Sequence, residues 1–449
     1  MKGHGLLFAA VLLAALSGVL YWSNRHKAAE SDVKISADAP PKILDLKQAN
    51  ISKIDIKKKG SDPVELAKDG SGAWQIVSPK QYRADQNTVS SFATALASLA
   101  SERLLDANVS NPAQYGLADA GYEVDVIEKD GAAHKLLIGD EAPAGSSSYA
   151  ALGGDPRVFM LGSYNKTSLV KSLNDLRDKR LLVFEQDKLS RVELTAKKQD
   201  IEFGRNKEQW QIVKPKPFRA DDSKVEELIR KLADAKMDLS ATDEDQKKAA
   251  AAFSSGTALA TAKVTDASGT EELQVRKNKE DYYAKSSAVE GDYKVGNDLG
   301  TALDKTVDDF RNKKLFDMGF NDPEKIELHE GAKAYYLTKG GSDWFSADGK
   351  KVDAIGAESL VEKVRDFAAS KFVDSGFGTA ELEVTATSNG GKTVEKVLIA
   401  KDGDHYVAKR DGEPALYQLD PVVVTGLEKA AEDMKPAVEP KPEAAPKKK

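Results

Sequence analysis

The chain has 449 residues, with 66 Lys+Arg against 72 Asp+Glu, 41% hydrophobic residues and no cysteine. That length implies about three domains of ordinary size, and the apolar content is enough to build cores. The net charge of −6 lacks the basic excess that binding to phosphate backbones needs, so no nucleic acid is expected as a partner; the missing cysteine excludes disulfides, thiolate metal sites and cysteine nucleophiles.

In chain order, a head of residues 1–5 precedes Leu6–Trp22, a run of 17 uncharged, mostly apolar residues. As a helix this run is about 26 Å long, close to the roughly 30 Å of a bilayer's hydrocarbon core. Tyr21-Trp22, then Arg25 and Lys27, close it in the aromatic-then-basic order of a membrane–water boundary. Residues 6–22 therefore read as a transmembrane anchor or uncleaved signal. The competing reading is a signal peptide cleaved after Ala15-Leu16-Ser17, which leaves an apolar mature N-terminus. Lys2 is the one basic residue before the span, so the Lys/Arg count opposes an exported body, whereas a short head before an apolar run favours one. The expected placement is a single-pass inner-membrane protein with its C-terminal body in the periplasm. Residues 23–42, polar and ending in Pro40-Pro41, form a linker.

Beyond the linker, internal repeats dominate. Trp74-Gln75-Ile76-Val77-Ser78-Pro79 returns as Trp210-Gln211-Ile212-Val213-Lys214-Pro215, 136 residues later. Tyr82-Arg83-Ala84-Asp85 follows the first and Phe218-Arg219-Ala220-Asp221 the second. A divergent third copy has Trp344-Phe345 and then Lys351-Val352-Asp353. Ile51–Ile56, Leu189–Leu194 and Pro323–Leu328 keep nearly the same spacing. The expected modules are 43–182, 183–315 and 316–434, followed by a Pro/Ala/Lys tail over 435–449 whose composition predicts disorder.

Each module opens with alternating strands, as in Ile54, Ile56, Val64 and Leu66, separated by turns at Gly60 and Asp69-Gly70. The Trp strand stops at a proline, and the Asp after it is placed to cap a helix. Val89, Phe92, Leu96 and Leu99 make one helical stripe; Val225, Leu228, Leu232 and Ala235 repeat it, as do Ala357, Leu360, Val364 and Phe367. The second half repeats the plan: Tyr122–Val126, Leu136–Gly139, Tyr149–Leu152 and Val158–Leu161 as strands, a turn at Gly153-Gly154-Asp155-Pro156, then one helix with Leu169, Leu173 and Leu176 inward. The fold class is α+β: three tandem repeats of antiparallel β-meanders packed on amphipathic helices, plus one N-terminal transmembrane helix.

A search for chemistry assigns no catalytic, cofactor-binding or metal residue. Gly390-Gly391-Lys392-Thr393 lacks the earlier glycine of a phosphate loop, because Ala386 stands there, and it lies between two alternating runs, as a hairpin turn does. Asp402-Gly403-Asp404 is a turn without calcium-loop spacing. The histidines, His4, His26, His134, His329 and His405, are scattered singly. Ser163-Tyr164-Asn165-Lys166 fits Ser-x-x-Lys, a pattern common by chance and here without its companion motifs. Trp74, Trp210, Arg83 and Arg219 admit a binding-groove reading, but a strand Trp beside a helix is usually core and an Asp before a helix usually a cap.

The apolar N-terminal segment, then W-x-I-x-x-P, a short gap, A-D and an amphipathic helix, resembles the domain of unknown function 4340 family. The resemblance is best over 43–315 and weaker in the third module. It implies a membrane-anchored envelope protein with an exported body, encoded beside transporters similar to the gliding-motility ABC system, and it carries no site residues. The leading expectation is a non-enzymatic, membrane-anchored protein presenting an interaction surface, with the membrane and an inner-membrane transporter complex as partners. The alternative is a periplasmic binding module for a glycan or small ligand.

Overall fold

Alternation drives the first strands as expected. In Ile51–Lys58 (β1), Ile54 and Ile56 point inward and the lysines at its end are exposed; Val64–Lys68 (β2) and Trp74–Ser78 (β3) bury Val64, Leu66, Trp74 and Ile76. Tyr82–Arg83 (β4) leads into the helix Gln86–Ala97 (α1), capped by Asp85, whose carboxylate accepts from the Thr88 amide at 2.9 Å. Arg103–Asp106 (β5), Tyr122–Glu128 (β6), Ala133–Glu141 (β7), Ser148–Leu152 (β8) and Val158–Leu161 (β9) follow. The computed structural model describes residues 40–437 apart from 144, 208, 241–242 and 319–321.

These strands form one antiparallel sheet, ordered β4-β3-β2-β1-β6-β7-β8-β9-β5. Two meanders thus stand back to back, joined where β1 meets β6 with Ile54 opposite Val126 and Ile56 opposite Val124. The single helix expected through Leu169, Leu173 and Leu176 is instead two, Ser163–Leu169 (α2) and Leu173–Leu176 (α3). Ser172 and Asp175 form a reciprocal capping box that starts α3 and so separates it from α2. Leu169 and Leu176 are buried and Leu173 is partly so.

The second sheet uses Arg191–Ala196 (β10), Gln199–Asn206 (β11), Gln209–Lys214 (β12), Phe218–Arg219 (β13), Thr257–Asp266 (β14), Gly269–Asn278 (β15), Asp281–Ser286 (β16) and Asp292–Val295 (β17). Its helices are Asp222–Ala233 (α4), Asp243–Ser255 (α5) and Asn297–Leu303 (α6). The third uses Lys325–Glu330 (β18), Lys333–Gly340 (β19), Asp343–Phe345 (β20), Lys371–Val373 (β21), Leu382–Ser388 (β22), Thr393–Asp402 (β23), His405–Arg410 (β24) and Leu416–Leu419 (β25), with helices Ala354–Arg365 (α7) and Pro421–Glu432 (α8). Their orders are β13-β12-β11-β10-β14-β15-β16-β17 and β20-β19-β18-β22-β23-β24-β25-β21. Both keep the back-to-back plan, with Leu194 opposite Ala262 and Leu328 opposite Val384 at the centre. The fold is therefore α+β, with three antiparallel sheets and helices packed on each. Each core comes from one continuous stretch, 43–176, 181–310 and 315–431.

In every sheet the segment leaving the last helix returns to the residues before the first one. Arg177 bridges Ala84, Arg311 bridges Ala220 and Pro436 bridges Val352. The Asp178, Asn312 and Ala437 amides donate to the carbonyls of Arg83, Arg219 and Lys351 at 2.9, 2.9 and 2.7 Å. The chain divides into two compact units, one ending at Lys179 and one beginning at Arg180, the second holding two sheets. Among the described residues no helix is long and apolar enough to cross a membrane. The expected anchor, Leu6–Trp22, and residues 438–449 of the expected tail lie outside them.

Candidate functional site

The repeated motif residues sit in the cores. Trp74 and Trp210 are each 3% exposed and Trp344 is 7% exposed. Each is paired across the sheet with a cation that lies over its ring: Lys68 at 4.9 Å, Arg205 at 5.4 Å and Lys339 at 5.5 Å from the centroid. The Trp74 amide donates to Gln86 Oε1 at 2.8 Å and the Trp210 amide to Asp222 Oδ1 at 2.7 Å, so the first helical residue ties the Trp strand to the helix. Asp85, Asp221 and Asp353 are helix caps in all three sheets. The tryptophans thus each belong to a core.

The repeated arginine has three different surroundings. Arg83 lies 3.9 Å from the buried Asp178, and Lys351, at the same place in the third sheet, pairs with Asp343 at 2.9 Å. Arg219 instead reaches from the second sheet into the third, within the second unit. Its Nη2 donates to the Lys314 carbonyl at 2.6 Å and to the Tyr417 hydroxyl at 3.2 Å, its Nη1 donates to Asp317 at 3.3 Å, and its Nε lies 3.0 Å from Glu413 without hydrogen-bond geometry. Tyr417 donates to Glu413 at 2.9 Å; Arg410 pairs with Glu413 at 3.1 Å and also with Glu395, which accepts from the Asp317 amide. Burial opposes the charge on Arg219, but Tyr417, Glu413 and Asp317 outweigh it and hold the guanidinium above its ordinary value. Burial pushes the Glu395 carboxyl up, with Arg410 offsetting part of the effect.

Beside this cluster is a cleft of ≈ 310 Å³ walled by Phe218, Arg219, Arg311, Asn312, Phe372 and Tyr417. The Arg311 guanidinium lies between two rings, 4.1 Å from the Phe218 centroid and 3.4 Å from that of Phe372, and its Nη1 donates to Asp308 at 2.9 Å. Such stacking is a cation–π contact worth most when desolvated. Phe218 and Arg311 belong to the second sheet's segment and Phe372 to the third, so the sandwich joins the two.

The remaining sequence candidates are dispersed. Gly390 and Gly391, both with positive φ, turn β22 into β23, and Gly403 turns β23 into β24. His134 lies 3.4 Å from Glu128, His329 4.0 Å from Glu327, and His405 3.0 Å from Asp404; His4 and His26 lie outside the described residues. Lys166 of the Ser-x-x-Lys match turns to Glu141 at 2.7 Å. Among the described residues no three His, Asp or Glu side chains are grouped so as to hold a metal.

A second, larger groove of ≈ 630 Å³ lies in the first unit between α1 and α2. Asn87, Ser91, Thr94 and Ser98 line one side and Tyr164 and Ser168 the other. Tyr164 is 83% exposed. Sequence reasoning missed this groove because it joins two helices of different half-repeats. The visible clue is the absence of charge from Gln86–Ala97.

A family model described as Domain of unknown function (DUF4340) matches the chain twice, over residues 74–211 and 210–389, more than half of its length. Each match begins at a Trp strand, and the second runs past 315 into the third sheet, farther than the motif alone reached. No curated protein and no solved structure matches.

Proposed function

The chain belongs to the DUF4340 family, and from that premise we propose that it is a non-enzymatic, membrane-anchored envelope protein whose body presents an interaction surface. Leu6–Trp22 is the single-pass inner-membrane anchor, the body lies in the periplasm, and the partner is an inner-membrane complex of the ABC, gliding-motility-like type. Segments 43–182, 183–315 and 316–434 are three copies of one module. Matching strand orders and the recurring Trp–cation pair favour that repeat.

One observation carries the non-enzymatic reading. A cluster of ionisable side chains in the second unit, Arg219, Asp317, Glu395, Arg410, Glu413 and Tyr417, is paired within itself even where it borders the cleft. Charges so paired hold two sheets together, whereas a catalytic acid or nucleophile needs a group left uncommitted toward substrate. Crosslinking in intact membranes followed by purification of the full chain is expected to recover a transporter subunit. Recovery of the monomer alone under several crosslinker chemistries overturns the proposal. Protease added to spheroplasts should digest the body, and protection would reverse the orientation. The second reading, a binding module for a glycan or small ligand, is favoured by the α1–α2 groove.

A further inference from the structure

We infer that the groove between α1 and α2 binds a neutral oligosaccharide, with Tyr164 as the stacking platform. The inference rests on the binding-module reading and names its site and ligand class.

The chain contains its own comparison. α1, α4 and α7 occupy the same position in the three sheets, after the capping Asp85, Asp221 and Asp353. The outer face of α4 carries Lys224, Glu226, Glu227, Arg230 and Lys231, and that of α7 carries Glu358, Glu362, Lys363 and Arg365. α1, Gln-Asn-Thr-Val-Ser-Ser-Phe-Ala-Thr-Ala-Leu-Ala, has no charged residue, in a chain that is 31% charged. A solvated helix gains solubility and i,i+4 support from surface charge. Its removal at one of three equivalent sites, beside the groove, points to a surface selected for an uncharged polar ligand.

The hydrogen-bond directions narrow the ligand further. Thr94 Oγ1 donates to the Ser90 carbonyl at 2.8 Å, Ser98 Oγ to the Thr94 carbonyl at 3.1 Å, and Ser168 Oγ to the Tyr164 carbonyl at 3.0 Å. Asn165 Nδ2 donates to the Ala100 carbonyl at 2.8 Å. Each of these hydroxyl protons is committed to its own helix, so what the groups turn outward is lone pairs. Of the two lysines here, Lys166 pairs with Glu141 at 2.7 Å, and Lys171, which lines the groove, donates to the Thr167 carbonyl at 3.1 Å. The α1 side of the groove, uncharged and presenting acceptors at Thr94 and Ser98, suits a ligand rich in O–H donors. The exposed phenol ring of Tyr164 offers an apolar face with a polar rim, against which the C–H face of a pyranose packs.

The test uses the full chain and isothermal titration with chitohexaose, maltohexaose and cellohexaose. Saturable binding of at least one is expected. Tyr164→Ala should weaken it at least tenfold, and Tyr164→Phe should retain most of it. A variant giving α1 the charges of α4 (Ser90→Glu, Ser91→Glu, Thr94→Arg, Ala95→Lys) should abolish binding while circular dichroism and the melting midpoint show it folded. Binding of equal strength to the charged variant overturns the groove assignment and leaves the binding-module reading standing. No binding of any of the three sugars to the wild-type chain overturns the inference itself. If the site instead takes a protein, a photocrosslinker at position 164 will capture a polypeptide in membranes and none of the sugars will compete, which also overturns it.

Discussion

Arg83, Arg219 and Lys351 hold one position in the repeat and do three different jobs. Arg219 is engaged by Lys314, Asp317, Glu413 and Tyr417, so Arg219→Ala takes the guanidinium from Asp317 and leaves Glu413 with Arg410 alone. A loss of roughly 1–3 kcal/mol in urea unfolding is expected, between exposed and fully buried broken pairs. Lys351→Ala, whose ion pair is exposed, should cost less than about 1 kcal/mol. Tyr122 supplies a pH test. Burial raises its phenol to about 12 even though the Lys171 amide donates to its oxygen, and its hydroxyl donates to the Leu169 carbonyl. The unfolded phenol ionises near its ordinary value of 10.0 while the folded one keeps its proton. Stability from this group is therefore complete below about pH 10 and falls as pH rises toward 12. Tyr122→Phe should flatten that alkaline loss when unfolding free energy is followed from pH 9 to 12. The cap at Asp85 was readable in the sequence, since an Asp before an amphipathic stripe has one common use. The tie from Gln86 to the Trp74 amide was not, because it exists only once β3 lies against the start of α1.

Among the elements, the strands that alternate were legible and those that do not were missed. β1, β2, β3 and β6 announce a buried face, whereas β5 and β21, Arg-Leu-Leu-Asp and Lys-Phe-Val, are too short to show a period. α5 carries a weak apolar stripe and, among the described residues, buries only Ala249 and Phe253, with Arg276 over the Phe253 ring. The pairing of β1 with β6 is nonlocal, so strand periodicity alone predicts two half-modules and not one continuous sheet. The return of each exit segment is equally hidden, since Lys435–Ala437 reads as tail. There the Asp353 amide donates to the Lys435 carbonyl at 2.8 Å and the Ala437 amide to that of Lys351 at 2.7 Å. Truncation after Met434 should therefore cost about 1–3 kcal/mol, two backbone hydrogen bonds at roughly 0.5–1.5 each. Hydrogen exchange should show it as lost protection at Asp353, with the first sheet unchanged.

For the molecule as a whole, each core is drawn from its own stretch of chain, and the first unit's core uses residues 43–176 alone. Residues 40–179 expressed alone are thus expected to unfold cooperatively, with coincident circular dichroism and tryptophan fluorescence transitions; a noncoincident or absent transition contradicts this. The second unit has a further constraint, because the Arg219 cluster and the Arg311 sandwich span its two sheets. The back-to-back sheet also has a consequence in time. Ile56 and Val124, like Leu194 and Ala262, are 68 residues apart, and Leu328 and Val384 are 56 apart. At roughly 5–20 residues per second, a ribosome delivers β1 about 3–14 s before its central partner β6. During that interval a nascent four-strand meander has a hydrophobic strand as its open edge, the kind of surface that templates aggregation. The same edge waits in each of the three sheets, so translation of this chain passes three times through a state in which a chaperone has something to hold.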